Sequence, residues 1–223
     1  MKRRSLFTGF SGDEAVREPH VREPHVASPG AARFTNALLR THENKEVRFY
    51  NDLIRGKQVI INLMYATCEG VCPTVTSNLI RVHNALKDRM GRDLFMYSIS
   101  IRPEDDDPAK LKEYAEMHGA LLPGWTFLTG DPYDIETIRF NLFRWDHIKF
   151  DTDLTSHTGM LRIINDATNR WTEVSPLGSM YTVLKHISWA DPQKTFAQMV
   201  AENEALQKKI DQEVKTYGYR KTN

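Results

Sequence analysis

The sequence has few cysteines, no long apolar run and no excess of either charge. Lys and Arg number 30 against 29 Asp and Glu, which gives a formal net charge of +1. The chain therefore has no basic field that would draw it to nucleic acid. The longest strongly apolar run, residues 59–66, falls far short of the roughly 20 residues that cross a bilayer. We predict neither a nucleic-acid partner nor a membrane span.

Residues 1–32 are polar and contain three prolines. Because such a segment cannot bury a core face, we predict a flexible N-terminal arm. Its start, Lys2-Arg3-Arg4, is similar to the opening of a twin-arginine export signal. The apolar stretch of roughly 7–15 residues that such a signal needs is missing, so we expect no intact export signal here.

The rest of the chain alternates strand patterns with helix patterns. This alternation predicts an α/β fold in which a central mixed sheet carries helices on both faces. We assign residues 33–190 to this domain and residues 191–223 to a C-terminal helical extension. The predicted strands cover residues 47–50, 58–65, 94–101, 125–128, 159–165 and 171–174, and the predicted helices run from 73 to about 90, 108–118, 132–143, 177–187 and 192–217.

The two cysteines stand close together, with three residues between Cys68 and Cys72 and Pro73 directly after them. A disulfide closing so short a loop removes little chain entropy, so a structural staple is a poor explanation. Cys68 follows a predicted buried strand, and Cys72 begins a predicted helix. The helix N-terminus favours thiolate, which is the form that attacks disulfides and holds soft metals.

The spacing leaves two chemistries open. Thiol–disulfide exchangers typically carry two residues between their cysteines, whereas Cys68 and Cys72 have three. Two thiolates suit Cu(I), and adding an imidazole makes a site that also suits Cu(II) or zinc. A metal site is the favoured prediction. The alternative is a redox-active pair in a thiol–disulfide reductase, and a peroxidase of the peroxiredoxin type is a third option.

A metal site needs a third ligand, for which the chain offers eight histidines. His157 immediately precedes a predicted core strand, and in thioredoxin-like proteins the residue that opens this strand faces the cysteine motif. His147, in a predicted polar loop over residues 144–156, is the reserve candidate. A capping role for His157 remains an alternative.

These residues resemble the SCO/SenC family of copper proteins, over roughly residues 45–190. The resemblance implies a thioredoxin-like fold, one copper ion held by Cys68, Cys72 and His157, and delivery to an acceptor such as the cytochrome c oxidase copper site. It also implies a periplasmic or other extracytoplasmic location. The segments that carry the resemblance are Gly56–Leu63, Cys68–Pro73, Ser98–Glu104, Leu111–Ala115, Trp125–Gly130 and His157-Thr158.

Two positions depart from the pattern of that family. Its members usually carry an aspartate where this chain has Arg102, and another where it has Ser156. An acidic neighbour tunes the tautomer and basicity of a ligating histidine. We therefore expect these two residues to alter copper affinity or copper delivery.

Overall fold

The computed structural model describes residues 33–143, 159–192 and 196–217. The strands are β1 (Leu38–Thr41), β2 (Glu46–Arg48), β3 (Gln58–Met64), β4 (Leu94–Ser100), β5 (Trp125–Gly130), β6 (Leu161–Asn165) and β7 (Arg170–Val174). The α-helices are α1 (Val71–Ala85), α2 (Pro108–Met117), α3 (Pro132–Leu142), α4 (Met180–Ala190) and α5 (Phe196–Tyr217). Within this part of the chain no helix is both long and apolar enough to span a membrane.

The strands form one mixed sheet in the order β2-β1-β5-β4-β3-β6-β7. The central strands β3, β4 and β5 are parallel, and the outer strands pair antiparallel. All seven residues of β3 are buried, as expected for a parallel strand covered on both faces. The predicted mixed α/β sheet is confirmed.

Helices cover both faces of this sheet. By the strand register, Trp125 and Arg162 belong to opposite faces. Trp125 stacks on His83 of α1, with ring centroids 6.5 Å apart. The Arg162 guanidinium lies 5.2 Å from the ring centroid of Phe143, directly after α3. The predicted placement of helices on both faces is therefore confirmed.

The start of the ordered chain differs from the sequence prediction. The predicted strand over residues 47–50 is wrong at its end, because β2 stops at Arg48 and a π-helical turn covers Phe49–Ile54. Residues 49, 50, 53 and 54 of this turn are buried, a helix-like spacing. The strand β1 was not predicted. It is short, and what defines it is its pairing with the distant β5.

The helix after the cysteines also ends earlier than predicted. It stops at Ala85 rather than near Gly91. Leu86 lies in the turn that follows, and Met90 forms an isolated bridge with Leu94. Helix α5 packs beside this end of α1. Its Lys209 Nζ donates to the carbonyl oxygen of Ala85 at 3.3 Å, and Leu206 is buried in the core.

Candidate functional site

Cys68 and Cys72 lie at the carboxyl edge of the central parallel strands, where open α/β sheets gather their ligands. Strand β3 ends at Met64, and α1 begins at Val71. Both cysteines are free thiols, with exposed fractions of 6% and 3%. The predicted strand-to-helix junction is confirmed, and it brings the two sulfur atoms into one buried pair.

Hydrogen bonds make Cys68 the more acidic thiol. Burial alone would raise its pKa, but the hydrogen bond from the Cys72 thiol and those from the backbone N–H groups of Cys72 and Gly70 outweigh burial. The Tyr65 hydroxyl adds a further bond. Together they hold the pKa of Cys68 below its ordinary value.

Cys72 behaves in the opposite way. Burial, followed by the hydrogen bond to Cys68, raises the pKa of the Cys72 thiol to about 12. Cys72 therefore keeps its proton after Cys68 has lost its own, and it donates that proton toward the Cys68 sulfur. This arrangement prepares one sulfur as a nucleophile or metal ligand and keeps the other protonated until a metal or a base removes its proton.

A tyrosine and an arginine stand next to the thiols. Tyr65 directly follows β3, and Arg102 follows the neighbouring strand β4. The Arg102 guanidinium lies 4.2 Å from the ring centroid of Tyr65. The hydrogen bond to Cys68, together with burial, raises the pKa of the Tyr65 hydroxyl, and the charge of Arg102 opposes this rise. Arg102, which stands where the SCO/SenC pattern usually has an aspartate, thus lies beside the cysteines.

The buried carboxylate of Asp106 holds the segment that leads from β3 to Cys68. Asp106 is fully buried, and its Oδ2 accepts hydrogen bonds from the backbone N–H of Ala66 at 2.9 Å and from Ser100 Oγ at 2.6 Å. Ser100 Oγ accepts in turn from the backbone N–H of Arg102 at 3.0 Å. Asp106 thereby joins the segments that follow β3 and β4.

Sequence reasoning missed the role of Asp106. It lies in the acidic run Asp105-Asp106-Asp107, directly before α2. Asp107 is the residue that caps α2, accepting from the N–H of Lys110 at 2.8 Å. Three identical side chains in a row carry no local signal of which one the core buries.

The proposed third ligand lies outside the described residues. His157, the reserve candidate His147 and the variant position Ser156 all fall in residues 144–158, which the structure does not describe. Within the described ranges, no group of three or more His, Cys, Asp or Glu side chains is close enough to hold a metal ion. The two sulfur atoms are the soft donors that this part of the chain contributes.

Comparison with solved structures identifies the fold. A SCO1/SenC family lipoprotein of Bacillus anthracis str. Ames superimposes with a TM-score of 0.59 at 18% identity, over 70% of this chain and 94% of that chain. ScoI of Bradyrhizobium japonicum, solved with copper bound, gives a TM-score of 0.53 at 22% identity, over 70% of this chain and 97% of that chain. The fold is thioredoxin-like, as the resemblance implied.

Sequence comparison agrees with this fold. A SCO1 protein homolog of Bacillus subtilis (strain 168) is 30% identical over 77 residues, which is 34% of this chain and 39% of the relative. Two further curated relatives are matched over 52% and 25% of their lengths, so the chain spans about half or less of the relatives it matches. The SCO1/SenC family model matches residues 38–190, well over half of the chain. The chain belongs to the SCO1/SenC family.

Proposed function

We propose that this protein binds one copper ion through Cys68, Cys72 and His157 and passes it to an acceptor protein. The observation that carries the proposal is the pair of buried, mutually hydrogen-bonded thiols at the start of α1. Two thiolates are a soft donor set suited to copper. The copper-bound ScoI of Bradyrhizobium japonicum, a protein of the same fold, supports copper as the metal.

The strand pairing supports His157 as the third ligand. Strand β6 runs antiparallel to β3, with Ile61 opposite Arg162. The chain therefore enters β6 from the edge where β3 ends and the cysteines begin. His157 precedes the described residue Gly159 by two positions, which is close in sequence to that edge.

Metal loading tests the ligand set. Reduced protein loaded with Cu(II) is expected to bind one equivalent and to show thiolate-to-copper charge-transfer absorption. Cys68→Ser, Cys72→Ser and His157→Ala should each abolish this absorption, and His147→Ala is the matched control that should retain it. An unchanged spectrum and affinity in His157→Ala would show that the histidine assignment is wrong.

The acceptor we propose is a copper site of the cytochrome c oxidase type, reached outside the cytoplasm. Family membership supports this acceptor, and the family lipoprotein of Bacillus anthracis supports an extracytoplasmic or membrane-anchored place. The test mixes copper-loaded protein with a metal-free oxidase copper domain and measures the metal in each after separation. Copper left entirely on the donor would contradict the proposed transfer.

The unequal thiols favour thiol–disulfide reduction as a second candidate function. The Cys68 thiolate would attack a substrate disulfide and release one substrate thiolate. Cys72, after losing its proton, would then attack Cys68 in the mixed disulfide. The products are a Cys68–Cys72 disulfide and a fully reduced substrate, so two electrons pass from protein to substrate.

A single-turnover assay separates the two functions. Metal-free reduced protein is mixed with a peptide disulfide, and one equivalent of reduced peptide per chain is expected if the protein is a reductase. His157→Ala should leave this yield unchanged, whereas Cys68→Ser should abolish it. If the metal-free protein reduces no peptide and the same protein binds copper normally, copper binding remains the proposed function.

A further inference from the structure

We propose that Arg102 is a specificity-determining residue that favours Cu(I) over Cu(II) in this site, an inference that rests on the copper binding proposed above. The guanidinium stacks on Tyr65, and the hydroxyl of Tyr65 bonds to Cys68. The Tyr65 side chain thus links the Arg102 cation to Cys68, a proposed copper ligand.

Hydrogen bonds hold the backbone at Arg102 in place. The N–H of Arg102 donates to Ser100 Oγ, which Asp106 holds in place. The preceding residue, Ile101, donates from its backbone N–H to the carbonyl oxygen of Met64 at 2.9 Å. The start of the loop that bears Arg102 is therefore tied to the end of β3, next to the cysteine loop.

Within residues 33–143, 159–192 and 196–217, the Arg102 guanidinium forms no ion pair with a carboxylate. Among the described residues, no Asp or Glu oxygen lies within 4.0 Å of its guanidinium, and its buried Nε makes no hydrogen bond. Other arginines do have such partners. Arg89, for example, lies 2.8 Å from Asp191. In the part of the chain that the structure describes, no ion pair takes up the positive charge that lies beside the cysteines.

Charge balance gives the direction of the effect. Two thiolates and a neutral imidazole leave the Cu(I) complex with a net charge of −1 and the Cu(II) complex with a net charge of 0. A nearby cation stabilises the anionic Cu(I) complex more than the neutral Cu(II) complex. Reduction takes one electron from an external reductant such as ascorbate, and Arg102 favours that step. An aspartate at this position would oppose it.

The expected effect is a change in relative affinity. Replacing Arg102 by glutamine should lower the ratio of Cu(I) to Cu(II) affinity about tenfold, which corresponds to about 59 mV in the one-electron midpoint potential. Arg102→Lys keeps the charge and should retain most of the wild-type potential. Arg102→Asp reverses the charge and should lower the potential further than glutamine does.

The experiment is a redox titration of the copper-loaded full chain, with the charge-transfer band as the readout of Cu(II). Arg92→Gln is the matched control for loss of one positive charge. Arg92 is an exposed arginine that pairs with Asp93, and it stands before β4, at the opposite end of that strand from Arg102. Its substitution should leave the potential unchanged.

The order lysine, glutamine, aspartate in falling potential supports the proposal. Equal potentials in wild type, Arg102→Gln and Arg102→Asp, with copper still bound, would overturn this inference and leave copper binding intact. A fall in Arg102→Lys as large as that in Arg102→Gln would also overturn it, since stacking on Tyr65 rather than charge would then be responsible. Wild-type protein that binds copper in neither state would overturn both this inference and the proposed function.

Discussion

Asp106 accepts a hydrogen bond at 2.9 Å from the backbone N–H of Ala66, two residues before Cys68. The same carboxylate oxygen accepts from Ser100 Oγ at the end of β4. One buried side chain thus holds together the two segments that build the candidate site.

We expect Asp106→Ala to destabilise the protein by about 2–3 kcal/mol, because it leaves the half-buried Ala66 N–H and the buried Ser100 hydroxyl without their acceptor. Urea unfolding measures the change. Asp105→Ala is the matched control, since Asp105 is the exposed neighbour in the same acidic run, and it should change the unfolding free energy by less than about 0.5 kcal/mol. Equal effects of the two substitutions would contradict the role given to Asp106.

The two thiols of the metal-free reduced protein should ionise in separate steps. The ultraviolet absorbance of thiolate should show one ionisation below the ordinary cysteine pKa and the other only near pH 12, because Cys68 is stabilised as thiolate and Cys72 is held as thiol. Cys68→Ser should remove the first step. A single transition in which both thiols ionise together would show that the two sulfurs are equivalent.

The free energy of unfolding should fall at alkaline pH, because the folded protein raises the pKa of two buried tyrosines. Burial raises the pKa of Tyr97, and burial together with nearby cysteine charge raises that of Tyr114 to about 12. In the unfolded chain a tyrosine loses its proton near its ordinary pKa of about 10. The free energy of unfolding therefore keeps its full value below about pH 10. It falls as pH rises toward the folded-state pKa, by about 1.4 kcal/mol per pH unit for each tyrosine.

Urea unfolding at a series of alkaline pH values tests this expectation. Tyr97→Phe should flatten the alkaline loss, because phenylalanine has no proton to lose in the unfolded chain. Tyr133→Phe is the matched control, since Tyr133 is 79% exposed and should leave the slope unchanged. The same slope in wild type and Tyr97→Phe would show that Tyr97 does not contribute to the alkaline loss.

An ion pair between the half-buried Arg89 and the buried Asp191 joins the end of α4 to the turn before β4. Arg89 donates to both carboxylate oxygens of Asp191, at 2.8 and 3.0 Å, and the Asp191 side chain is 2% exposed. Asp191→Ala should lower the unfolding free energy by about 3 kcal/mol, because the arginine loses its buried partner. Asp93→Ala removes the more exposed partner of Arg89 and should cost less than about 1 kcal/mol. Similar losses of unfolding free energy in the two variants would contradict the role given to the Arg89–Asp191 pair.

Much of the architecture could be predicted from local pattern. The continuously apolar run of β3 and the periodic helix after it are strong signals, and they placed Cys68 and Cys72 at a strand-to-helix junction. The weaker elements were missed or misread. Strand β1 is only four residues long and is defined by pairing with the distant β5, and residues 49–54 form a π-helical turn after β2.

The chemistry around the thiols could not be predicted in the same way. Residues 65, 102 and 106 lie in three separate stretches of sequence, and only the parallel pairing of β3 with β4 brings their loops together. The likeness to a copper-protein family pointed to Arg102 as unusual. The contact of its guanidinium with Tyr65 depends on how those two loops pack.

The sequence by itself determined the close pairing of the two cysteines, their place at a helix start and the α/β class, because these features follow from spacing and hydrophobic periodicity within short segments. The tertiary structure decided which aspartate is buried, which thiol retains the proton and where the Arg102 charge lies. These depend on burial and hydrogen bonding between residues far apart in the chain, and no local pattern encodes such contacts.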